Sequence, residues 1–131
     1  MCNFYVIILL KAEDEVQNLD SKELVDHIVE AIGEKKGIDI TIIDISKLTA
    51  IADYFVICSG TSTTHIKSIS DEIDYKLGQV GIEIYHKEGY DTARWILLDY
   101  ADVVIHVFHQ EDRAFYNLER LWSDGILTNI R

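Results

Sequence analysis

Residues 53–60, DYFVICSG, form a nearly unbroken apolar run of strand length, and residues 102–108, DVVIHVF, form another. Side chains alternate between the two sides of an extended chain, so strands of this kind need cover on both faces. The requirement points to a sheet with helices packed against it.

Helical patterns supply that cover. In residues 20–36, Leu24, Val25, Ile28, Ala31 and Ile32 recur at helical spacing. Asp20 suits the N-cap and Glu23 the matching capping-box position. Lys35 and Lys36 suit the negative end of the dipole, and Gly37 the place just past it. In residues 61–81, Ile66, Ile69, Ile73 and Leu77 mark one face, with Thr61 or Ser62 as cap and Gly78 or Gly81 as stop. The stretch EDRAFYNLERLWSDG predicts a closing helix that turns Phe115, Leu118, Leu121 and Trp122 inward. IDITIIDI (38–45), rich in β-branched residues, predicts a strand. IEIYHKEG and ARWILLDY add two more.

The order is α-β-β-α-β-β-β-α. The short link between the last two strands favours an antiparallel hairpin. The expectation is one α/β domain over residues 20–125, with a mixed sheet of about five strands and helices packed on it. Residues 1–19 form an N-terminal extension, an extra strand or a poorly ordered segment, and 126–131 a C-terminal tail. At 131 residues, a chain buries enough surface to fold without staples.

The net charge of −11 disfavours contact with phosphate backbones and makes a basic protein the natural macromolecular partner. The apolar run from Phe4 to Leu10 is too short to span a membrane and lacks the flanks of a signal peptide. Two cysteines, Cys2 and Cys58, fit a reducing compartment, so a cytoplasmic location is expected. Cys58 reads as a buried small hydrophobe.

The stretch CSGTSTTH is a strand, a glycine turn and a helix start, where backbone N–H groups can hold an anion. It lacks the spacing and lysine of a phosphate-binding loop, and no D-x-D pair follows for metal. The five histidines are scattered, and none pairs with Cys58 locally. The residues therefore predict a binding module rather than an enzyme, with no catalytic, metal or cofactor site.

The hairpin WILLDYADVVIHVF (95–108) is the candidate interface. Trp95, Leu97 and Asp99 share one side of its first strand. Val104, His106 and Phe108 share one side of the second, opposite Val103, Ile105 and Val107. Both sides are largely apolar. Either helices cover both, or one side is an apolar patch for a protein partner or a second copy.

ADYFVICSGTSTTHIKSIS, then EG followed by RWILLDYADVVIHVF, then EDRAFYNLERLW resemble the three signature blocks of the ribosomal silencing factors, also called the iojap-like family. The resemblance covers residues 24–122. It implies a nucleotidyltransferase-like fold without that fold's metal-binding carboxylates. It implies binding to the large ribosomal subunit through large-subunit protein fourteen on the intersubunit face. Joining of the small subunit is thereby blocked and translation lowered when nutrients are scarce. Organellar members act in ribosome assembly, and a nucleotide-binding transferase is the remaining alternative. Matched to the family's surface block, Trp95, Asp99 and Tyr100 are the expected partner-binding residues: Trp95 as aromatic anchor, Asp99 pairing with a basic side chain, Tyr100 at the rim; Leu97, on Trp95's face by alternation, is expected to extend the patch. Bland alternatives stand beside them. Trp95 can be core, Asp99 can hold the hairpin turn, Arg113 and Glu119 can form a structural ion pair, and Trp122 can be helix packing. Ala101 departs from the glycine common in the family's hairpin link.

Overall fold

The computed structural model describes residues 20–122 and 125–130. The N-terminal extension, 1–19, lies outside them. Ten elements follow in order: α1 (Ser21–Glu34), β1 (Ile38–Asp44), β2 (Tyr54–Gly60), α2 (Thr63–Gln79), β3 (His86–Glu88), β4 (Trp95–Asp99), β5 (Val103–His109), α3 (Gln110–Tyr116), α4 (Leu118–Leu121) and β6 (Ile126–Ile130). The strands form one mixed sheet in the order β3-β4-β5-β2-β1-β6, with β2 and β5 parallel and the other neighbours antiparallel. No described helix is long and apolar enough to cross a membrane.

The expected α/β architecture is present. α1 and α2 pack side by side on one face of the sheet. Their stripes, Ile28 and Ile32 from α1 with Ile66, Ile69, Ile73 and Leu77 from α2, are fully buried against Val56, Cys58, Ile96, Leu98, Ile105 and Val107. Burying one such aliphatic side chain is worth about 1.5–3 kcal/mol, so this layer is the main stabilising contact of the fold. The capping box at α1 forms as expected: the Glu23 N–H donates to Asp20 at 2.8 Å, and the Asp20 N–H donates to Glu23 at 3.3 Å. Ser62, not Thr61, caps α2.

Several expectations are corrected. α1 stops at Glu34, and Lys36 rather than Gly37 takes the left-handed backbone (φ 62°). Gly37 is needed for another reason, since a Cβ there would lie 2.4 Å from the Ile32 side chain. The strand read in IEIYHKEG shrinks to three residues, while Ile82 and Ile84 pack under the helices instead. The closing helix is broken at Asn117, whose φ of 47° suits an asparagine, and whose side chain caps α4. The break redirects the helix face. Leu118 and Trp122 still pack inward, but Phe115 and Leu121 are 83% and 75% exposed. The stretch 126–131, expected to be a tail, contains β6, which pairs antiparallel with β1. The sheet therefore has six strands among the described residues.

The β4–β5 link is tight. The Asp102 N–H donates to the Tyr100 carbonyl across Ala101, whose φ is 72°. Such a γ-turn with positive φ is strained for any residue with a Cβ. Glycine at this position should be accommodated better. We expect Ala101→Gly to stabilise the fold by roughly 0.5–1 kcal/mol, part of the relief being lost to the freer unfolded chain. Urea unfolding of the two proteins measures the difference.

Candidate protein-docking face

Strand registers lay out the face of the sheet opposite α1 and α2 as a grid. Glu88, Leu97, His106, Ile57 and Thr41 cross it in one row. His86, Asp99, Val104, Phe55 and Ile43 form the next, and Trp95, Phe108 and Ser59 a third. Among the described residues, the helical cover on this face is the short α3–α4 segment, and it covers the face unevenly.

Arg113 on α3 anchors the cover over the β1–β2 side. Its guanidinium donates to the Ser59 hydroxyl at 3.0 Å, to the Thr41 hydroxyl at 2.9 Å and to the Asp39 carbonyl. Glu119 on α4 holds the same group from the other side at 2.6 and 3.0 Å. The Arg113–Glu119 pair is thus structural. Trp122 meets Phe55 edge-on at 5.1 Å and packs, with Leu118, on the cluster of Ile43, Ile45, Ile57 and Phe108. The β3–β4 side has no comparable cover among the described residues. There Trp95, Leu97 and Asp99 are half-buried in a line along β4.

Three of the four expected partner-binding residues therefore share one face, and one does not. Trp95 stacks on Phe108 at 4.8 Å and meets Tyr116 at a tilt at 4.7 Å, and its indole N–H donates to His106 Nδ1 at 3.1 Å. It is half core and half surface, so the two readings of this residue are not exclusive. Asp99 does hold the turn, accepting the Ala101 N–H at 2.8 Å on Oδ1. Tyr100 is the correction. Expected at the rim, it is buried on the helix side, and its hydroxyl donates to Asp74 at 2.6 Å. Burial, and then that hydrogen bond, raises its hydroxyl far above the usual phenol range. Lys87 takes the other oxygen of Asp74 at 2.6 Å, so Tyr100 and β3 are clamped to α2 together.

Beside the expected residues, the structure brings His106 and the exposed ridge of α3 to this strip. His106 is only 5% exposed, lying between Trp95 and Phe55, whose ring meets it edge-on at 4.9 Å. Phe115 stands edge-on to Tyr116 at 5.2 Å and extends the aromatic surface outward from Trp95. Alternation grouped Trp95 with Leu97 and Asp99, and His106 with Val104 and Phe108; that the two groups share a face follows from the hairpin register.

Burial pushes the Cys58 thiol up to about 12, against a smaller pull from Arg113, so it does not supply a thiolate near neutrality. The GTS turn is closed by the chain's own groups. The Thr61 N–H points to His65 Nδ1 at 3.0 Å, and His65 Nε2 reaches the Lys35 carbonyl at 2.7 Å. Among the described residues no group of three or more His, Cys, Asp or Glu is placed to hold a metal ion.

The family model described as "Ribosomal silencing factor during starvation" matches residues 18–130. A ribosomal silencing factor from Halalkalibacterium halodurans is 42% identical over 107 residues, covering 82% of this chain and 92% of the relative. A mouse protein named for mitochondrial assembly of the ribosomal large subunit is 33% identical, across 81% of this chain and 48% of its own. A crystal structure of a Chromobacterium violaceum protein superposes with a TM-score of 0.79 at 32% identity, over 80% of this chain and 88% of that one.

The state of His106 gives a pH dependence. Burial pulls its imidazole from 6.5 down to about 4. Between those values the unfolded chain binds a proton that the folded one refuses, so folding stability falls as pH drops from 6.5 towards 4. The loss from this group should reach roughly 3 kcal/mol at full effect. Denaturant titrations at a series of pH values should show that slope in the parent, and His106→Phe should lack it.

Proposed function

The chain belongs to the ribosomal silencing factor family, and from that premise we propose that it docks on the large ribosomal subunit through the open half of its sheet and blocks joining of the small subunit. Family membership ties the chain to the ribosome and to regulation of translation. The observation that carries the finer reading is the uneven cover of the sheet: an aromatic and aliphatic strip on β4, half-buried, beside an exposed aromatic ridge on α3.

The partner we propose is large-subunit protein fourteen, a basic protein on the intersubunit face. The net charge of −11 favours encounter with such a surface and opposes adhesion to the surrounding RNA. Trp95 serves as the anchor and Leu97 extends its contact. Asp99 keeps the turn with Oδ1 and offers Oδ2 to a basic side chain. Tyr100, buried behind the strand, supports the hairpin through Asp74 and does not touch the partner. The mechanism is exclusion: two bodies cannot occupy one joining surface. Self-association through this face would compete with docking. The name of the mouse relative favours a second reading, in which the same docking serves large-subunit assembly.

Purified protein should bind isolated large subunits and reduce their reassociation with small subunits in a sucrose gradient. No effect at several-fold molar excess would remove the silencing role, and binding confined to immature subunits would favour assembly. Trp95→Ala should weaken binding by about 2 kcal/mol or more, roughly thirtyfold, with the domain still folded.

A further inference from the structure

His106 is a charged-type residue type in an apolar strand, and packing alone does not account for it. The ring is 5% exposed, and its Nε2 has no hydrogen-bond partner among the described residues. Its neighbours are Phe55, Phe108 and Trp95. A phenylalanine or leucine would fill the same space without leaving a polar atom unpaired. What imidazole supplies here, and those residues do not, is the lone pair on Nδ1. That lone pair accepts the Trp95 indole N–H at 3.1 Å.

The bond also fixes the state of the ring. A nitrogen that accepts a hydrogen bond carries no proton, so the neutral ring bears its proton on Nε2. The unpaired Nε2–H is the consequence of keeping Nδ1 free for the indole. Among the described residues the other ring contacts of Trp95 are a stack on Phe108 at 4.8 Å and a tilted contact with Tyr116 at 4.7 Å. Such ring contacts do not by themselves fix which edge of the indole faces His106, because a turn about the Cβ–Cγ bond returns the ring to nearly the same plane. Among the described residues, the directional contact that selects one orientation is the hydrogen bond to His106.

We propose that His106 is a positioning residue for docking: it orients the Trp95 indole by accepting its N–H, and so presents the anchor in its binding orientation. This deepens the docking reading above and rests on it. His106 does not touch the partner. It acts by removing the other orientations of Trp95, which lowers the ordering cost when the partner arrives.

The test uses the full chain. In the parent, the ¹⁵N shifts of His106 should report the Nε2–H tautomer, and the Trp95 indole N–H should exchange slowly with solvent. The Nδ1–H tautomer would overturn the proposal without any variant. His106→Phe keeps volume and removes the acceptor, whereas His106→Asn places an amide oxygen near the position of Nδ1. The phenylalanine variant should lose the slow indole exchange and bind large subunits about tenfold more weakly, and the asparagine variant should recover most of both. If Trp95→Ala loses binding while a folded His106→Phe binds as the parent does, the positioning role is wrong and docking through Trp95 stands. If neither substitution changes binding, the docking reading fails, and the positioning role with it.

Discussion

The parallel pairing of β2 with β5 is the contact on which the rest of the structure depends. Seven residues of each strand stay in register from Tyr54 with Val103 to Gly60 with His109. Every residue of β5 is buried, as are the last five of β2. A pair so apolar on both sides has to be covered twice, and the chain meets that need with unequal layers. The long helices α1 and α2 close one face. The other receives seven residues of α3 and four of α4.

That inequality is what supports the proposed docking face. The short cover is tied down where Arg113 reaches the β1 bulge and the end of β2, so it shields the β1–β2 side. The strip along β4 keeps partial exposure. A fully covered second face would be more stable, by the area rule for apolar burial, but it would offer nothing to a partner. The exposed Phe115 and the half-exposed Tyr116 continue the strip beyond the sheet. The chain's negative charge then selects which partners approach.

Much of the fold was legible because its signals are periodic. The stripes of α1 and α2, the Asp20–Glu23 cap and the two apolar runs all emerge from spacing alone. β6 was not legible: ILTNI is short, and its role depends on β1 lying within reach. Nor was the break at Asn117, since a helical pattern does not disclose that one residue will turn left-handed. The candidate site was legible in part. Alternation put Trp95, Leu97 and Asp99 on one side, where they are found. Tyr100 follows Asp99 directly, so alternation sends it to the opposite face, and its hydroxyl finds Asp74 across the helix layer. Alternation also set His106 beside Val104 and Phe108, but its bond to Trp95 depends on a register that pairs Leu97 with His106 and brings Trp95 diagonally near. Interactions set by spacing along the chain were readable; those set by register between segments were not.

Site-specific photo-crosslinking tests most directly which surface meets the ribosome. A photoreactive phenylalanine would be placed at Phe115, at the outer edge of the open face, or at Tyr75, exposed on α2 behind the sheet. Each protein would be bound to large subunits and irradiated. Docking through the open face gives a crosslink from position 115 to a protein of the joining surface and none from position 75. A crosslink from position 75 alone would contradict it, for the helix layer would then be the surface that binds.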